Sequence, residues 1–163
     1  MEAICVNCRK PNSDSKCGVC GGEVCRKCRR FLSEEAFPFM SDRPTELRHS
    51  IFCGQCYAQN VEPFEADYEA FLVKAKQIIV IFKNSKSTIR VLRKANKAIS
   101  VVNRVDRNEA ISNLAFVSAR AGFNAIIEVE ASSKKVRNEG YQTTTWSAQG
   151  LPADIRSHEQ RFD

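Results

Sequence analysis

Past Cys56 the chain contains no cysteine, and its 163 residues include only two histidines, one tryptophan and no long apolar run. The longest such run, "IIVIF" (78–82), falls well short of the roughly 20 apolar residues a membrane-spanning helix needs. No apolar segment of the secretory type follows "MEAICVNCRK", which predicts a cytoplasmic protein whose thiols stay reduced. Paired carboxylates, a nucleophile beside a base and a phosphate-cradling glycine loop are likewise missing from the pattern, so the expectation is a non-enzymatic protein.

All eight cysteines (Cys5, Cys8, Cys17, Cys20, Cys25, Cys28, Cys53 and Cys56) therefore fall in the first 56 residues, as four C-x-x-C pairs. In a reducing compartment such pairs read as metal ligands before disulfides, and eight thiolates complete two closed tetrahedral Cys₄ zinc sites. Closed sites keep no open coordination position, so the expected role of two zinc ions per chain is structural. Gly21, directly after Cys20, allows the backbone to bend so that amide N–H groups approach the sulfurs. With the ligands complete, His49 and His158 read as surface residues.

Two pairings are open. A sequential arrangement makes two successive zinc ribbons. An interleaved one joins Cys5, Cys8, Cys25 and Cys28 at one ion and Cys17, Cys20, Cys53 and Cys56 at the other. Only four residues separate Cys20 from Cys25, which favours the interleaved cross-brace.

The formal charge is +6. Eight thiolates offset by two divalent ions bring that +6 down to +2, which weakens the whole-chain case for a polyanionic partner. Lys83, Lys86, Arg90, Arg93, Lys94 and Lys97 form a run without an acidic residue, but aromatic interleaving stops at Phe82. A solvated basic edge is the plainer reading, with nucleic-acid binding through 83–97 as the alternative.

Residues 1–60 show little periodicity and read as an irregular module held by zinc. "PFEADYEAFLVKAKQ" predicts a helix over about 64–77 within a helical connector spanning 61–85. The β-branched residues of "IIVIF" argue for a strand there, and "TIRVL" (88–92) and "AISVV" (98–102) read as two more. Asp106 as N-cap, Glu109 three residues later and Gly122 at the far end frame a second helix, with Ile111, Leu114, Ala115, Ser118 and Ala121 on its inner face. "NAIIEVEA" and "YQTTTWSAQG" predict two further strands joined by a loop, "SSKKVRNEG", with turn residues Asn138 to Gly140. Ile127 and Val129 are expected on one face, and Thr144, Trp146 and Ala148 on one face, Trp146 serving as a core or interface anchor. The segment after Pro152 is polar and expected to fray, with 156–163 as a tail. The fold class that follows is α+β: a small irregular two-zinc finger, then a compact domain over 86–155 with short strands and one main helix.

"CVNC", "CGVCGGEVCRKC" and "FCGQCY" together resemble the FYVE-type zinc finger over about residues 3–58. RING and PHD fingers, which normally use a histidine ligand, fit less well. The resemblance implies two zinc ions in cross-brace order and, in the family generally, recognition of phosphatidylinositol 3-phosphate. The lipid-binding motif departs at each place: only "MEAI" precedes Cys5, "SDSK" precedes Cys17, Gly18 follows it, and "IFC", ending on the seventh cysteine, replaces the family's R-V-C. What is implied is the zinc scaffold without its lipid contacts, with membrane targeting as a further alternative. "EAISNLAFVSARAGFNAIIEV" and "TTTWSAQG" resemble the YbjQ family of α+β domains. That resemblance implies a ring-forming oligomer; the family label also mentions heavy metals, but this segment has no cysteine to bind one. The expected partner is a protein, with self-association through the C-terminal domain.

Overall fold

The computed structural model describes residues 2–86 and 88–156. Its fold is a mixed α+β one, and the chain divides into two compact units, Met1–Glu69 and Ala70–Asp163. His158 and the rest of the tail from 157 onward lie outside the described residues. No helix among the described residues is long and apolar enough to cross a membrane.

The first unit has two miniature ladders. Strand β1 (Ser15–Lys16) pairs antiparallel with β2 (Glu23–Val24), and β3 (Arg30–Phe31) pairs antiparallel with β4 (Ile51–Phe52). A 3₁₀ turn at Thr45–Arg48 precedes β4. After β4 a helical turn at Gly54–Cys56 and a π-helical turn at Tyr57–Val61 lead into helix α1 (Glu62–Lys76). Strands of two residues bury little by themselves, so the apolar core is short: Val24, Leu32, Phe37, Leu47, Phe52, Val61 and Tyr68. Phe37 stands edge-on to Phe64 and Tyr68, with centroids 4.8 and 5.1 Å away.

The second unit is a five-stranded sheet with one long helix. Its strands are β5 (Ile79–Phe82), β6 (Val91–Lys94), β7 (Ile99–Arg104), β8 (Ala125–Asn138) and β9 (Tyr141–Ile155), and α2 spans Arg107–Arg120 between β7 and β8. The order is β5-β8-β9-β6, with β7 also on β9. Strand β9 serves both edges, since its residues 146–150 face β7 while Ala153 to Ile155 face β6. Among the described residues only the β5–β8 pair is parallel.

Helix α2 starts as its residues dictate. The Asp106 carboxylate accepts from the Glu109 backbone N–H at 2.7 Å, and the Glu109 carboxylate accepts at 3.1 Å from the N–H of Val105, the residue just before the N-cap, a close variant of the capping box. Gly122 follows the last turn, and the Phe123 N–H returns to the Ser118 carbonyl. Ala110 and Leu114 pack with Val101, Ile126, Val129 and Ala148 in one core cluster, against which Trp146 rests half-buried. Ala125, Ile127, Ala153 and Ile155 make a second cluster.

Several expectations need correction. The inner face of α2 includes Leu114, Ala115 and Ser118, but Ile111 is half-buried and Ala121 exposed, while Ala110, Asn113, Phe116 and Ala119 are buried. Ile127 and Val129 belong to different clusters rather than one face. The cause is a bulge: Glu128 has φ +54°, the β8–β9 register shifts between Ile127 and Glu130, and the extra residue inverts the alternation. Strand β6 begins three residues later than "TIRVL". "SSKKVRN" is not a loop but the outer half of β8, because the turn itself takes only Glu139 and Gly140. Both have positive φ (+46° and +90°), the geometry that matches the twist of two paired strands. Finally, β9 continues through Pro152 to Ile155, where Ala153 and Ile155 are buried instead of frayed.

Candidate metal centres

Each cysteine pair closes a tight turn around a backbone carbonyl. Arg9 N–H donates to the Cys5 carbonyl, Gly21 N–H to that of Cys17, Cys28 N–H to that of Cys25, and Tyr57 N–H to that of Cys53, all at 2.9–3.0 Å. Such turns leave further amide N–H groups aimed at sulfur. Gly22 N–H points at Cys20 Sγ and Cys56 N–H at Cys53 Sγ, both at 3.4 Å, so Cys53 also caps the helical turn that follows it. Gly21 takes φ +71°, the left-handed conformation that lets the first of these bonds form.

The ladders decide which pairs meet. Cys17 and Cys20 lie in the loop of the β1–β2 hairpin, whereas Cys25 leaves from its open end, so the two pairs are carried apart despite their closeness in sequence. Val6 N–H bonds the Glu23 carbonyl at 2.8 Å, tying the first pair to β2, from which Cys25 follows. Gly18 N–H bonds the Ile51 carbonyl at 2.9 Å, tying the second pair to β4, from which Cys53 follows. Two groups result, Cys5, Cys8, Cys25, Cys28 and Cys17, Cys20, Cys53, Cys56, with the sulfurs of each group within 4.8 Å of one another.

The spacing distinguishes metal from disulfide. Cys8 Sγ lies 3.7 Å from Cys25 Sγ, and Cys20 Sγ lies 3.9 Å from Cys53 Sγ. A tetrahedron with Zn–S bonds of about 2.3 Å has S···S edges of about 3.8 Å, whereas a disulfide requires about 2.05 Å. All eight thiols are free of disulfides.

Electrostatics point to the same occupant. Backbone N–H groups of Cys25 and Cys8 lower the Cys5 thiol to about 6. Burial pushes Cys17 up, but the N–H groups of Cys20, Cys53 and Val19 outweigh it and bring the thiol down to about 6. Their neighbours move the other way. The Cys28 thiol donates to the Cys25 and Cys8 sulfurs and is pushed up to about 12, and burial, followed by hydrogen bonds that hold its proton against the Cys53 and Cys20 sulfurs, raises Cys56. Four thiolates this close repel one another without a cation, and a divalent ion turns that repulsion into coordination. The two groups fit zinc in donor type, number and spacing, and each can hold one ion.

His49, which takes no part in either group, is exposed and lies over Gly18. A Cβ on Gly18 would come within 2.3–2.4 Å of His49 Cγ and Cβ. Replacement of Gly18 by alanine is therefore expected to cost about 1–3 kcal/mol by overpacking. Because the colliding atoms, Cβ included, all belong to the one surface side chain of His49, His49→Gly should restore part of that loss in the double variant, whereas His49→Ala, which keeps the Cβ, should not. Denaturation midpoints of the zinc-loaded single and double variants check this.

The basic run 83–97 is partly neutralised. Lys83 pairs with Glu130 at 3.0 Å; Arg93 pairs with Asp154 at 2.7 Å and stacks on Phe123. Lys86, Arg90, Lys94 and Lys97 are exposed. An open groove of about 660 Å³, lined by Phe82, Val101, Arg107, Glu130 and Gln149 among others, was not foreseeable from sequence spacing. Its charged residues have partners, since Glu130 also accepts from Gln149 at 2.8 Å and Arg107 stacks on Phe82.

The fold and the site define a class: a two-unit α+β protein whose first unit carries two interleaved four-cysteine groups able to hold zinc. No protein-family model matches the chain, and no curated protein or solved structure matches it significantly.

Proposed function

We propose that the chain is a non-enzymatic, zinc-stabilised interaction protein. Its first unit would be a FYVE-like cross-brace finger that has kept the scaffold without the phosphoinositide contacts, and its second a YbjQ-like domain that brings copies together. The observation that carries this reading is the pair of four-cysteine groups, which together take up all eight thiols of the chain; with each group closed around one ion, no thiol would be left as a nucleophile and no metal position would be open. Zinc would supply folding free energy, and the surface it maintains would engage a protein partner. Several weak contacts presented by an assembled C-terminal domain would then act together through effective concentration. The reducing environment that such thiolates need agrees with a cytoplasmic location.

Charge argues against the phosphoinositide alternative. Residues 1–69 carry nine Lys and Arg against eleven Asp and Glu, so the finger is acidic even before its thiolates are counted. An anionic headgroup gains little there. Native mass spectrometry tests the proposal in one measurement. The expected result is two zinc ions per chain and a subunit number above one; a monomer would remove the assembly half of the reading, and fewer than two zinc ions would remove the other half.

A further inference from the structure

The division into units exposes a charge separation that the whole-chain value conceals. Residues 70–163 carry sixteen Lys and Arg against eight Asp and Glu, an excess of eight positive charges. Part of that excess sits on an unusual element. The β7 partner of β9 ends at Trp146 and the β5 partner of β8 ends at Val129, yet β8 and β9 stay paired from Ser133↔Trp146 out to Asn138↔Tyr141. Beyond Trp146 the sheet is thus a bare two-stranded ribbon. Five residue pairs, from Lys134↔Thr145 to Asn138↔Tyr141, extend it by about 15 Å.

Its composition suits neither a core nor a second identical ribbon. Lys134, Lys135, Arg137, Gln142, Thr143 and Thr144 are exposed, and Tyr141 at the tip is 79% exposed. Directly paired residues share a face, so Lys134 lies on one face with Thr145, and Lys135 and Arg137 lie on the other with Thr144 and Gln142. Among the described residues none of the three cations is in an ion pair. The one carboxylate on the ribbon is Glu139 in the turn. Two-stranded ribbons are marginal in water alone, and a second copy would meet this one with like charge.

We propose that the ribbon is an arm for double-stranded DNA, entering the major groove tip first with Lys134 towards one phosphate wall and Lys135 and Arg137 towards the other. A ribbon with its side chains is about 10 Å thick, and the B-form major groove, about 12 Å wide, admits a two-stranded ribbon. The A-form major groove of duplex RNA is too deep and narrow for it. Charge complementarity supplies the affinity: three cations meet phosphates, while the surplus of the whole unit attracts the polyanion at longer range. No cysteine takes part, so the inference stands apart from the zinc reading.

The test is fluorescence anisotropy of the full zinc-loaded chain with a labelled duplex of about 20 base pairs across a salt series starting near about 50 mM. Binding should weaken steeply with salt. Replacing Lys134, Lys135 and Arg137 together by Gln should weaken it about tenfold or more and flatten the log–log salt slope by about 2.7, that is about 0.9 per lost phosphate contact. Glu139→Gln should tighten binding. The exposed positions of the ribbon leave the cores untouched, and a thermal melt of each variant verifies this. A control triple, Lys86→Gln, Arg90→Gln and Lys97→Gln, should change the slope less. The inference is overturned if the duplex does not bind at the lowest salt, or if the control triple flattens the slope as much as the ribbon triple. Binding to phosphatidylserine vesicles without binding to duplex would overturn it as well.

Discussion

Treating the protein with a strong zinc chelator at neutral pH is expected to release two zinc ions per chain and unfold Met1–Glu69, while the sheet of the second unit keeps its structure. A structural Cys₄ site contributes about 10–16 kcal/mol of apparent folding free energy at neutral pH, several times what a core of this size provides. Among the described residues the finger buries seven large or medium apolar side chains besides its cysteines, and its strands are two residues long. Chains this small rarely gain more than about 3–5 kcal/mol from packing alone. Removing the cation also leaves four thiols within 4.8 Å of one another in each group, some favouring the thiolate and others disfavouring it. The two clusters of the second unit contain no metal ligand, so they have nothing to lose. Amide spectra of the labelled protein separate the two responses: the resonances of the finger should collapse to the unfolded range while those of β7 to β9 remain dispersed. Persistence of a folded finger after complete zinc release would refute the structural role.

Paired cysteine substitutions are expected to reveal the interleaving through zinc stoichiometry. Cys5→Ser with Cys28→Ser removes two ligands from one group and should leave one zinc per chain. Cys5→Ser with Cys20→Ser takes one ligand from each group and should cost both ions. Sequential pairing reverses the expectation, since Cys5 and Cys20 would then share an ion and Cys28 would belong to the other. The contrast rests on the short β1–β2 hairpin, which holds Cys17 and Cys20 at its loop and sends Cys25 away from its open end. Loss of either ion also removes several kcal/mol of stability, so both variants should be measured with zinc in excess, by native mass spectrometry. One zinc in the Cys5/Cys20 variant and none in the Cys5/Cys28 variant would exclude the cross-brace.

Local signals in the sequence were the most legible. The capping box at Asp106 and Glu109 needs only two side chains four positions apart or fewer, and it stands as expected. The helix read over 64–77 and the strand at "IIVIF" are present as α1 and β5 for the same reason, since periodicity and β-branching act within a few residues. The donor set of the metal centres was equally plain, because C-x-x-C turns direct two thiols to one point whatever surrounds them. Features that depend on a distant partner were harder to see. Nothing local in "SSKKVRN" marks it as a strand; its pairing with "YQTTTWS" does. Period-two reasoning failed at Ile127 and Val129 because one residue, Glu128, takes a left-handed conformation.

By itself the sequence determined what the chain has to bind with: eight thiols in four pairs, all in the first unit, and a sheet-forming second unit without any. Tertiary structure decided how those groups are arranged. Backbone hydrogen bonds from Val6 to Glu23 and from Gly18 to Ile51 choose the partners of each cysteine pair, and both bonds join residues more than fifteen positions apart. Chain division likewise turns one mild net charge into an acidic finger and a basic sheet unit, and strand pairing lifts three cations onto a bare ribbon. Composition is a sum over residues and keeps no record of place, whereas coordination and charge complementarity both fall off over a few ångströms, so their outcome is set by which residues the fold brings together.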